Sequence, residues 1–378
     1  MYVAITKLHI DEFLKLAESH PVLDVRSPGE FEHAHIPGAY SLPLFTDEER
    51  KVVGTAYKKE SREKAIKIGL KYFGKKMVKM VEEVENLQSS IKNLNNHSST
   101  VDKTVLVHCW RGGMRSAGVA WLLDLYGFKV YSLVGGYKQY RKWVLEQFQK
   151  DYPITIIGGY TGSGKTELLS ALAAKGAAII DLEAIACHKG SAFGNLGMPK
   201  QPTQEQFEND LANALSAIVN SEKWEVSSKK LPTTHYPLHT IFVEDESQRI
   251  GEVNIPGNLF NTMRSKPVLF LDIPFEERLD NIVHSYGKYD QDKLLNAILR
   301  IQKKLGGLET KNAVNFLLEK DVHRCFAILL KYYDKLYING LLRRENPEMQ
   351  VRKIPCSSTN TRNNATAILQ VIPTPSIP

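Results

Sequence analysis

The chain has 378 residues, 43% of them apolar, and a formal net charge of +7. This length favours two hydrophobic cores, because single cores stop growing at about 250–300 residues. No apolar run reaches the roughly 20 residues that cross a bilayer, and the N-terminal residues lack the apolar segment of a signal peptide. These features do not favour a membrane-spanning or secreted protein, and we expect a cytoplasmic one.

The first elements of the chain predict an α/β domain. Residues 1–45 favour short apolar strands separated by turns. A strand is predicted at Pro21–Arg26, and turn signals follow at Ser27–Glu30 and His35–Ala39. Together with the strand–loop–helix–strand order of residues 104–133, this pattern predicts an α/β domain.

Residues 47–95 are charged, have helical spacing and are predicted as a helical insertion. Within them, residues 50–79 hold 11 basic and only two acidic side chains. Basic residues interleaved with aromatic ones suit a phosphate backbone with exposed bases, although a solvated helix face explains the charge equally well. The candidate nucleic-acid contacts are Tyr57, Lys58, Lys59, Lys71, Lys75 and Lys76.

A buried strand at Thr104–His108 leads into the loop Cys109–Ser116 and then into a helix. A cysteine at this junction meets backbone N–H groups and the positive end of the helix dipole, which both favour the thiolate. Two glycines allow the loop to curl around an anion. The candidate catalytic residues are Cys109, Arg111 and Arg115.

The four cysteines do not form a CxxC pair, so neither a disulfide framework nor a cysteine-based zinc site is predicted. We predict no resident metal site. Cys109 is then free for chemistry in a reducing compartment.

The second half of the chain predicts four strands alternating with helices. They are placed at residues 154–157, 177–181, 240–243 and 268–272. This order favours a doubly wound parallel sheet. We predict domains at 1–145 and 146–356 and a disordered segment at 357–378, rich in Ser, Thr, Asn and Pro, with room for a short helix or strand near Ile368.

The segment Gly159–Thr166 fits the phosphate-loop pattern G-x4-G-K-[ST] and lies between a predicted strand and a predicted helix. Its backbone N–H groups would cradle phosphates, and Thr166 would bind Mg²⁺ if a metal is present. The candidate phosphate-binding residues are Gly159, Gly162, Ser163, Gly164, Lys165 and Thr166.

The sequence does not fix the acidic partner of this loop. Asp245, Glu246 and Asp272 all follow apolar strands and compete for the position. Asp181 and Glu183 follow the second strand of this half, where small-molecule kinases often place an acid on the substrate side. Phosphate binding is therefore better supported than hydrolysis.

An unusual loop, residues 188–194, begins with His188 and Lys189 and continues with glycine and serine. A lone histidine is usually structural. In this setting we predict that His188 and Lys189 belong to a substrate loop.

The first half resembles the rhodanese family. Asp24–Arg26, His35–Ala39, the Cys109 loop and Leu133–Tyr137 occur in that family's order and at compatible spacing, over about residues 5–145. The resemblance implies a rhodanese-like domain in which Cys109 carries sulfane sulfur or a related chalcogen.

One departure concerns the length of the loop. Arg115 lies six positions after Cys109, whereas many single-domain rhodaneses have this arginine one position closer. The spacing found here, Cys-x5-Arg, is also the loop length that holds a tetrahedral phosphate in tyrosine-type phosphatases. The longer loop predicts a larger chalcogen or a phosphorus-bearing donor.

The chain as a whole resembles the bacterial tRNA 2-selenouridine synthase family. The resemblance is carried by residues 109–116, 159–166, 188–194 and 244–247, together with residues 54–58 in the insertion. It implies a P-loop domain fused to the rhodanese-like one, and action on 2-thiouridine at the wobble position of tRNAs for Lys, Glu and Gln. Geranyl diphosphate would alkylate the sulfur, and selenophosphate would then supply selenium through Cys109.

Two other functions remain compatible with the residues alone. One is a rhodanese-type sulfurtransferase fused to a P-loop kinase that does not act on tRNA. The other is a non-enzymatic, nucleotide-dependent binding protein. The basic insertion favours tRNA over the first, and the intact cysteine loop disfavours the second.

Overall fold

The computed structural model describes residues 5–95, 103–221 and 240–371. The chain divides into two compact units, Met1–Glu146 and Gln147–Pro378. Each unit is built on its own parallel sheet, so the predicted α/β class is confirmed. None of the helices in these ranges is long and apolar enough to cross a membrane.

The first unit contains a five-stranded parallel sheet in the order β1-β5-β4-β2-β3. Its strands are β1 (Thr6–Leu8), β2 (Val22–Asp24), β3 (Tyr40–Ser41), β4 (Thr104–His108) and β5 (Lys129–Leu133). All five residues of β4 are buried. Because β4 is the middle strand, the segment that follows it leaves the sheet at its centre.

Within residues 5–95 and 103–147, seven helices accompany this sheet. They are α1 (Ile10–Ala17), α2 (Pro28–His33), α3 (Asp47–Lys59), α4 (Arg62–Gly74), α5 (Met77–Asn95), α6 (Met114–Tyr126) and α7 (Gly136–Gln147). The turn predicted at Ser27–Glu30 is wrong, because these residues begin α2. Pro28 occupies the first helical position, and Ser27 and Glu30 form a reciprocal capping box. Helix α1 also lies where only strands and turns were predicted.

The charged insertion forms α3, α4 and α5. Its apolar positions join the core of the first unit, where Phe73, Met80 and Val84 pack in one cluster with Val105 and Val107 of β4. The insertion is therefore part of this unit's core on one side, and its charged residues lie on the other side.

The second unit contains a five-stranded parallel sheet in the order β12-β11-β6-β8-β7. Its strands are β6 (Ile154–Gly159), β7 (Ala178–Ile180), β8 (Ile241–Glu244), β11 (Val268–Asp272) and β12 (Val351–Pro355), and β9 (Arg249–Ile250) and β10 (Val253–Asn254) form a small antiparallel pair. The middle strand is again the one that precedes the glycine-rich loop.

Ten helices belong to the described part of this unit. They are α8 (Lys165–Ala174), α9 (Leu182–Ala186), α10 (Gln204–Val219), α11 (Gly257–Ser265), α12 (Phe275–Tyr286), α13 (Gln291–Leu305), α14 (Gly307–Leu318), α15 (Val322–Leu341), α16 (Pro347–Gln350) and α17 (Thr361–Val371). Helices α12 to α15 share a separate apolar cluster built around Phe326, Leu329 and Leu330.

The prediction of disorder after residue 357 is wrong for residues 361–371, which form α17. Ala365 and Ile368 are fully buried and belong to the cluster that contains Leu168 and Leu169 of α8. The segment is mostly polar, and its two buried apolar residues are three positions apart, which is a helical spacing. The helix is therefore stabilised by its contacts with α8, and its own composition does not indicate it. Residues 372–378 lie outside the described residues.

Candidate functional site

The first candidate site is the loop between β4 and α6. Cys109 follows β4 directly and is only 2% exposed. Its Sγ lies 3.2 Å from the hydroxyl of Ser116, in the first turn of α6. The same hydroxyl donates to the carbonyl of Gly113 at 3.1 Å. The loop ends at the N-terminus of α6, where the helix dipole favours negative charge.

The loop is held from behind by the start of α7. The backbone N–H of Tyr137 donates to the carbonyl of Cys109 at 2.8 Å, and that of Lys138 donates to the carbonyl of Trp110 at 3.0 Å. Gly136, with φ +60°, makes this approach possible, because a Cβ there would lie 2.3 Å from the Cys109 carbonyl oxygen. The loop is thus fixed on both sides before any substrate binds.

The two loop arginines are placed differently. Arg111 is exposed, whereas Arg115 donates to the carboxylate of Glu30 at 2.8 Å. Burial alone would raise the pKa of Glu30, but Arg115, Ser27 and Arg50 outweigh it, and the pKa is lowered. Arg115 must exchange Glu30 for the ligand if it is to bind an anion in the loop.

A buried charged network lies beside Cys109. The guanidinium of Arg26 donates to both carboxylate oxygens of Asp24 and, at 2.7 Å, to the carbonyl of Ala34. Burial opposes ionisation of Asp24, yet His108 and Arg26 together lower its pKa. Burial lowers the pKa of His108, which keeps this imidazole neutral near pH 7. The network fixes β2 against β4, and therefore fixes the base of the loop.

The second candidate site is the loop between β6 and α8, where the structure places all six predicted phosphate-binding residues. Lys165 donates to the carbonyl of Gly159 at 3.0 Å. The hydroxyl of Ser163 is buried and makes no hydrogen bond within the described residues. A free hydroxyl and an ammonium group on one strand–helix turn are suited to phosphate oxygens.

Two of the predicted acids contact this loop or each other. The hydroxyl of Thr166 donates to Glu183 at 2.8 Å, and Glu183 lies close enough to Glu246 to raise its pKa. Burial is the main cause of that shift, which takes the pKa of Glu246 to about 8. Burial also raises the pKa of Glu183 and Asp181. Asp181 additionally caps α9, since it accepts from the N–H of Ala184 at 2.8 Å.

Asp245 has a different role from the one its position predicts. One of its oxygens accepts from Tyr337 at 2.7 Å, and the other accepts from Arg344 at 2.7 Å. The same tyrosine hydroxyl accepts from the N–H of Gly159 at 3.1 Å. Asp245 thus joins α15 to the phosphate loop, and Glu246 and Glu183 are the carboxyl groups left near Lys165. Asp272, the other competitor, is 3.6 Å from Lys353.

The two residues predicted in the 188–194 loop, His188 and Lys189, have different surroundings in the structure. His188 is buried against Gly194 and Gly251, where an added Cβ would lie within 2.6 Å and 2.8 Å of its ring, and burial lowers its pKa. Lys189 instead lines a cavity, and its Nζ is 5.6 Å from the ring centre of Tyr286. His188 holds the loop, and Lys189 is the member that can meet a ligand.

This cavity, of about 730 Å³, is lined by both polar and apolar side chains. The phosphate loop, Glu183, Glu246 and Lys189 form its polar part. Its apolar wall comes mainly from α12 and α15 and includes Phe193, Tyr286, Phe326, Leu329, Leu330 and Tyr333. Sequence reasoning missed this wall, although the apolar run in residues 326–337 signals a buried helix face.

The described residues contain no cluster of three or more His, Cys, Asp or Glu side chains that could hold a metal ion. Thr166 and Glu183 are nevertheless adjacent oxygen donors, the kind that Mg²⁺ binds together with phosphate oxygens. They fit a metal that arrives with its phosphate ligand.

The six candidate nucleic-acid contacts lie on α3 and α4 or just after them. Tyr57, Lys58, Lys59, Lys71 and Lys75 are exposed. Lys76 is not, because it pairs with Glu49 and donates to the carbonyl of Leu44. Its predicted role as a nucleic-acid contact is therefore not supported by its position.

Comparison with known proteins assigns both units. A family model described as tRNA 2-selenouridine synthase AAA domain matches residues 152–354, and one described as Rhodanese-like domain matches residues 9–142. The tRNA 2-selenouridine synthase of Bdellovibrio bacteriovorus is 33% identical over 366 residues, which cover 86% of this chain and 89% of the relative. Proteins of the same name from Nitrosomonas eutropha and Nitrosomonas europaea are each 32% identical over 376 residues, covering 86% of this chain and 90% and 91% of the relatives. The chain, with its rhodanese-like unit and its P-loop unit, therefore belongs to the tRNA 2-selenouridine synthase family, whose activity is that of a transferase.

Proposed function

We propose that this protein converts 2-thiouridine at the wobble position of tRNAs for Lys, Glu and Gln into 2-selenouridine, in the cytoplasm. The observation that carries this proposal is the thiol of Cys109, set at the start of α6 beside Ser116, in a chain that also holds a phosphate loop. Family membership over both units supports it.

Cys109 carries selenium as a selenylated cysteine, with selenophosphate as the donor. The S–Se bond forms and the Se–P bond breaks with release of phosphate. Because selenophosphate holds selenium at the selenide level, a disulfide takes up the two electrons of this step. The N-terminus of α6 stabilises the thiolate that accepts selenium. Arg111 is exposed beside the loop and meets the phosphate part of the donor. Arg115 joins it after leaving Glu30.

The P-loop unit binds geranyl diphosphate and transfers the geranyl group to the sulfur of the thiouridine. In this step the C–S bond forms, the bond between carbon and the diphosphate oxygen breaks, and the base loses its N3 proton. The support is the cavity, in which a phosphate cradle with Lys165 and Lys189 adjoins a wall of aromatic and aliphatic side chains. A prenyl diphosphate has this same division into a charged and an apolar part.

The residues of the loop act on the leaving diphosphate. Lys165 and the backbone N–H groups of residues 162–165 stabilise the charge that develops on it. Mg²⁺, if bound at Thr166 and Glu183, would neutralise further phosphate charge. No nucleotide hydrolysis is required of this site.

The exposed residues Tyr57, Lys58, Lys59, Lys71 and Lys75 bind the tRNA. Their charge suits the phosphate backbone, and the half-exposed ring of Tyr57 suits an unpaired base.

The test is to incubate the full-length protein with 2-thiouridine tRNA, geranyl diphosphate and selenophosphate, and to analyse the nucleosides by mass spectrometry. We expect 2-selenouridine with all three substrates, and S-geranylated 2-thiouridine when selenophosphate is omitted. Unmodified tRNA would overturn the proposal and leave a tRNA-independent sulfurtransferase.

A Lys165→Ala variant tests the role of the phosphate loop. We expect a loss on the order of 10²- to 10³-fold in geranylation, as for removal of one transition-state donor. Normal geranylation would exclude the loop as the diphosphate site. Lys175→Ala, in the turn that follows α8, is the matched control and should behave as wild type.

A further inference from the structure

The residue next to the reactive thiol is an exposed tryptophan. Trp110 is 37% exposed, whereas Cys109 before it is 2% exposed. The aromatic side chains behind it, Tyr137 and Tyr140, are fully buried. A large apolar ring is thus held at the surface at the one point of this unit where the chemistry of the thiol takes place.

The tryptophan is supported from behind. Its ring centre lies 5.7 Å from that of Tyr137, and the Arg26 guanidinium lies 3.8 Å from the centre of the tyrosine ring. Its carbonyl accepts the N–H of Lys138 at 3.0 Å. Because the backbone and one side of the indole are fixed, little conformational entropy is lost when a flat partner covers the exposed side.

The surroundings of the tryptophan are positively charged. Residues 109–142 contain six basic side chains and a single acidic one, Asp124. Arg111 and Lys138 are both exposed. An aromatic ring flanked by cations is suited to an unpaired nucleotide, whose base stacks on the ring while its phosphates meet the cations.

We propose that Trp110 stacks on the target wobble base and holds it against the chalcogen on Cys109. The proposal rests on the proposed action on tRNA and adds a residue that contacts the substrate. Trp110 follows Cys109 directly, and consecutive Cα atoms are about 3.8 Å apart across a trans peptide, so the indole and the thiol belong to the same loop. Stacking also tolerates the change from sulfur to S-geranyl to selenium at C2, since it uses the face of the ring and not its edge.

The experiment compares Trp110→Leu and Trp110→Phe with Trp121→Leu. Trp121 is 50% exposed but lies in the middle of α6, so it controls for the loss of an exposed indole. The measured quantity is kcat/KM for selenation of tRNA that carries S-geranyl-2-thiouridine. Stacking is worth about 1–3 kcal/mol per base, so Trp110→Leu should lower kcat/KM by about 5- to 140-fold. Trp110→Phe should recover most of this loss, and Trp121→Leu should match wild type.

A second measurement separates stacking from damage to the loop. Alkylation of Cys109 by iodoacetamide, followed by mass spectrometry of its peptide, reports on the thiol without RNA, and we expect Trp110→Leu to retain the wild-type rate. Equal losses with and without RNA would overturn the proposal, as would a Trp110→Leu variant that selenates tRNA like wild type or a Trp110→Phe variant that recovers nothing. A wild-type protein that fails to modify tRNA would instead refute the proposed function itself.

Discussion

Carboxyl groups lie beside both anion-binding loops, but the two units compensate their charge differently. In the first unit, Asp24 and Glu30 are paired with arginines, and their pKa values are lowered. In the second unit, burial raises the pKa values of the acids near the phosphate loop, which are Asp181, Glu183, Glu244 and Glu246.

The negative charge of the carboxyl groups is balanced by arginines in the first unit, whereas in the second unit it is removed by protonation. A guanidinium keeps its charge at any physiological pH, so the pairs of Asp24 and Glu30 with arginines should stay charged between pH 6 and pH 9. Glu246 releases its proton in the same range, so the surroundings of the phosphate loop should gain negative charge. The acids of the two units are therefore expected to respond differently to pH.

The largest expected effect comes from removing the carrier. Cys109→Ala should stop selenation, with a loss on the order of 10³-fold or more, because the covalent carrier is gone. Geranylation should remain within about twofold of wild type, since the cavity is formed by the second unit alone. Nucleoside mass spectrometry measures both products in one sample. A parallel loss of geranylation would show that the two units do not act separately, and Cys187→Ala serves as the control for loss of a thiol.

The next effect concerns the arginine pairs of the first unit. Arg26→Ala leaves the carboxylate of Asp24 buried without its partner, so the free energy of unfolding should fall by about 3–5 kcal/mol. Arg115→Ala opens a more exposed pair and should cost about 1 kcal/mol or less. Urea denaturation with hydrogen exchange over residues 5–146 measures both. Equal losses would mean that the buried pair is no more important than the half-exposed one.

An effect of similar size, but spread over several pH units, is expected from the protonated acid of the second unit. The folded state holds a proton on Glu246 up to about pH 8, while the unfolded chain releases it near the ordinary value of 4.5. The stability contributed by this proton is complete below pH 4.5 and is lost as the pH rises to 8, at about 1.4 kcal/mol per pH unit. Glu246→Gln should remove this slope from the unfolding free energy of the second unit.

The control for this measurement is Glu276→Gln, which removes an exposed carboxylate from the first turn of α12. It should leave the slope of the wild type unchanged. If the unfolding free energy of Glu246→Gln falls with pH as steeply as that of the wild type between pH 5 and pH 8, then Glu246 does not hold a proton in the folded state. The contrast between the two units would then be wrong.

The smallest effect concerns two neighbouring lysines of the first unit. Lys75 is exposed and Lys76 is paired with Glu49. Lys75→Gln should weaken tRNA binding a few fold and reduce the slope of log K against log salt by about 0.7–0.9, the value of one phosphate contact. Lys76→Gln should leave the slope unchanged. Binding titrations at several salt concentrations decide this, and a lower slope for Lys76→Gln would return it to the set of tRNA contacts.

Much of the fold follows from local patterns in the sequence. The strands that precede Cys109 and Gly159 are short apolar runs, and the loops after them contain glycines that fix their shape. Helix α2 was missed because Ser27-Pro28-Gly29 reads as a turn, although Glu30 completes a capping box with the same serine. The sequence left room only for a short helix or strand near Ile368, and the full length of α17 was missed because its buried positions depend on contact with α8.

The candidate sites were predictable only in part. The order of Cys109, Ser163 and Lys165 along the chain indicates two anion loops. The roles of Asp245, His188 and Lys76 could not be read from it, because each is decided by a partner distant in sequence, such as Arg344 for Asp245. The apolar wall of the cavity comes from α15, more than 150 residues after the phosphate loop, so no local pattern links the two.

The packing of α17 on α8 has a consequence for the order in which the protein is made. The first unit has all its strands and helices once about residue 146 has left the ribosome, and domains commonly fold in that order. The second unit still lacks β12 at the edge of its sheet and the cover of α8 until residues 351–371 emerge. The unit that carries the phosphate loop is therefore expected to fold only after these residues are synthesised. The unit that carries the cysteine loop has all its residues some 200 positions earlier.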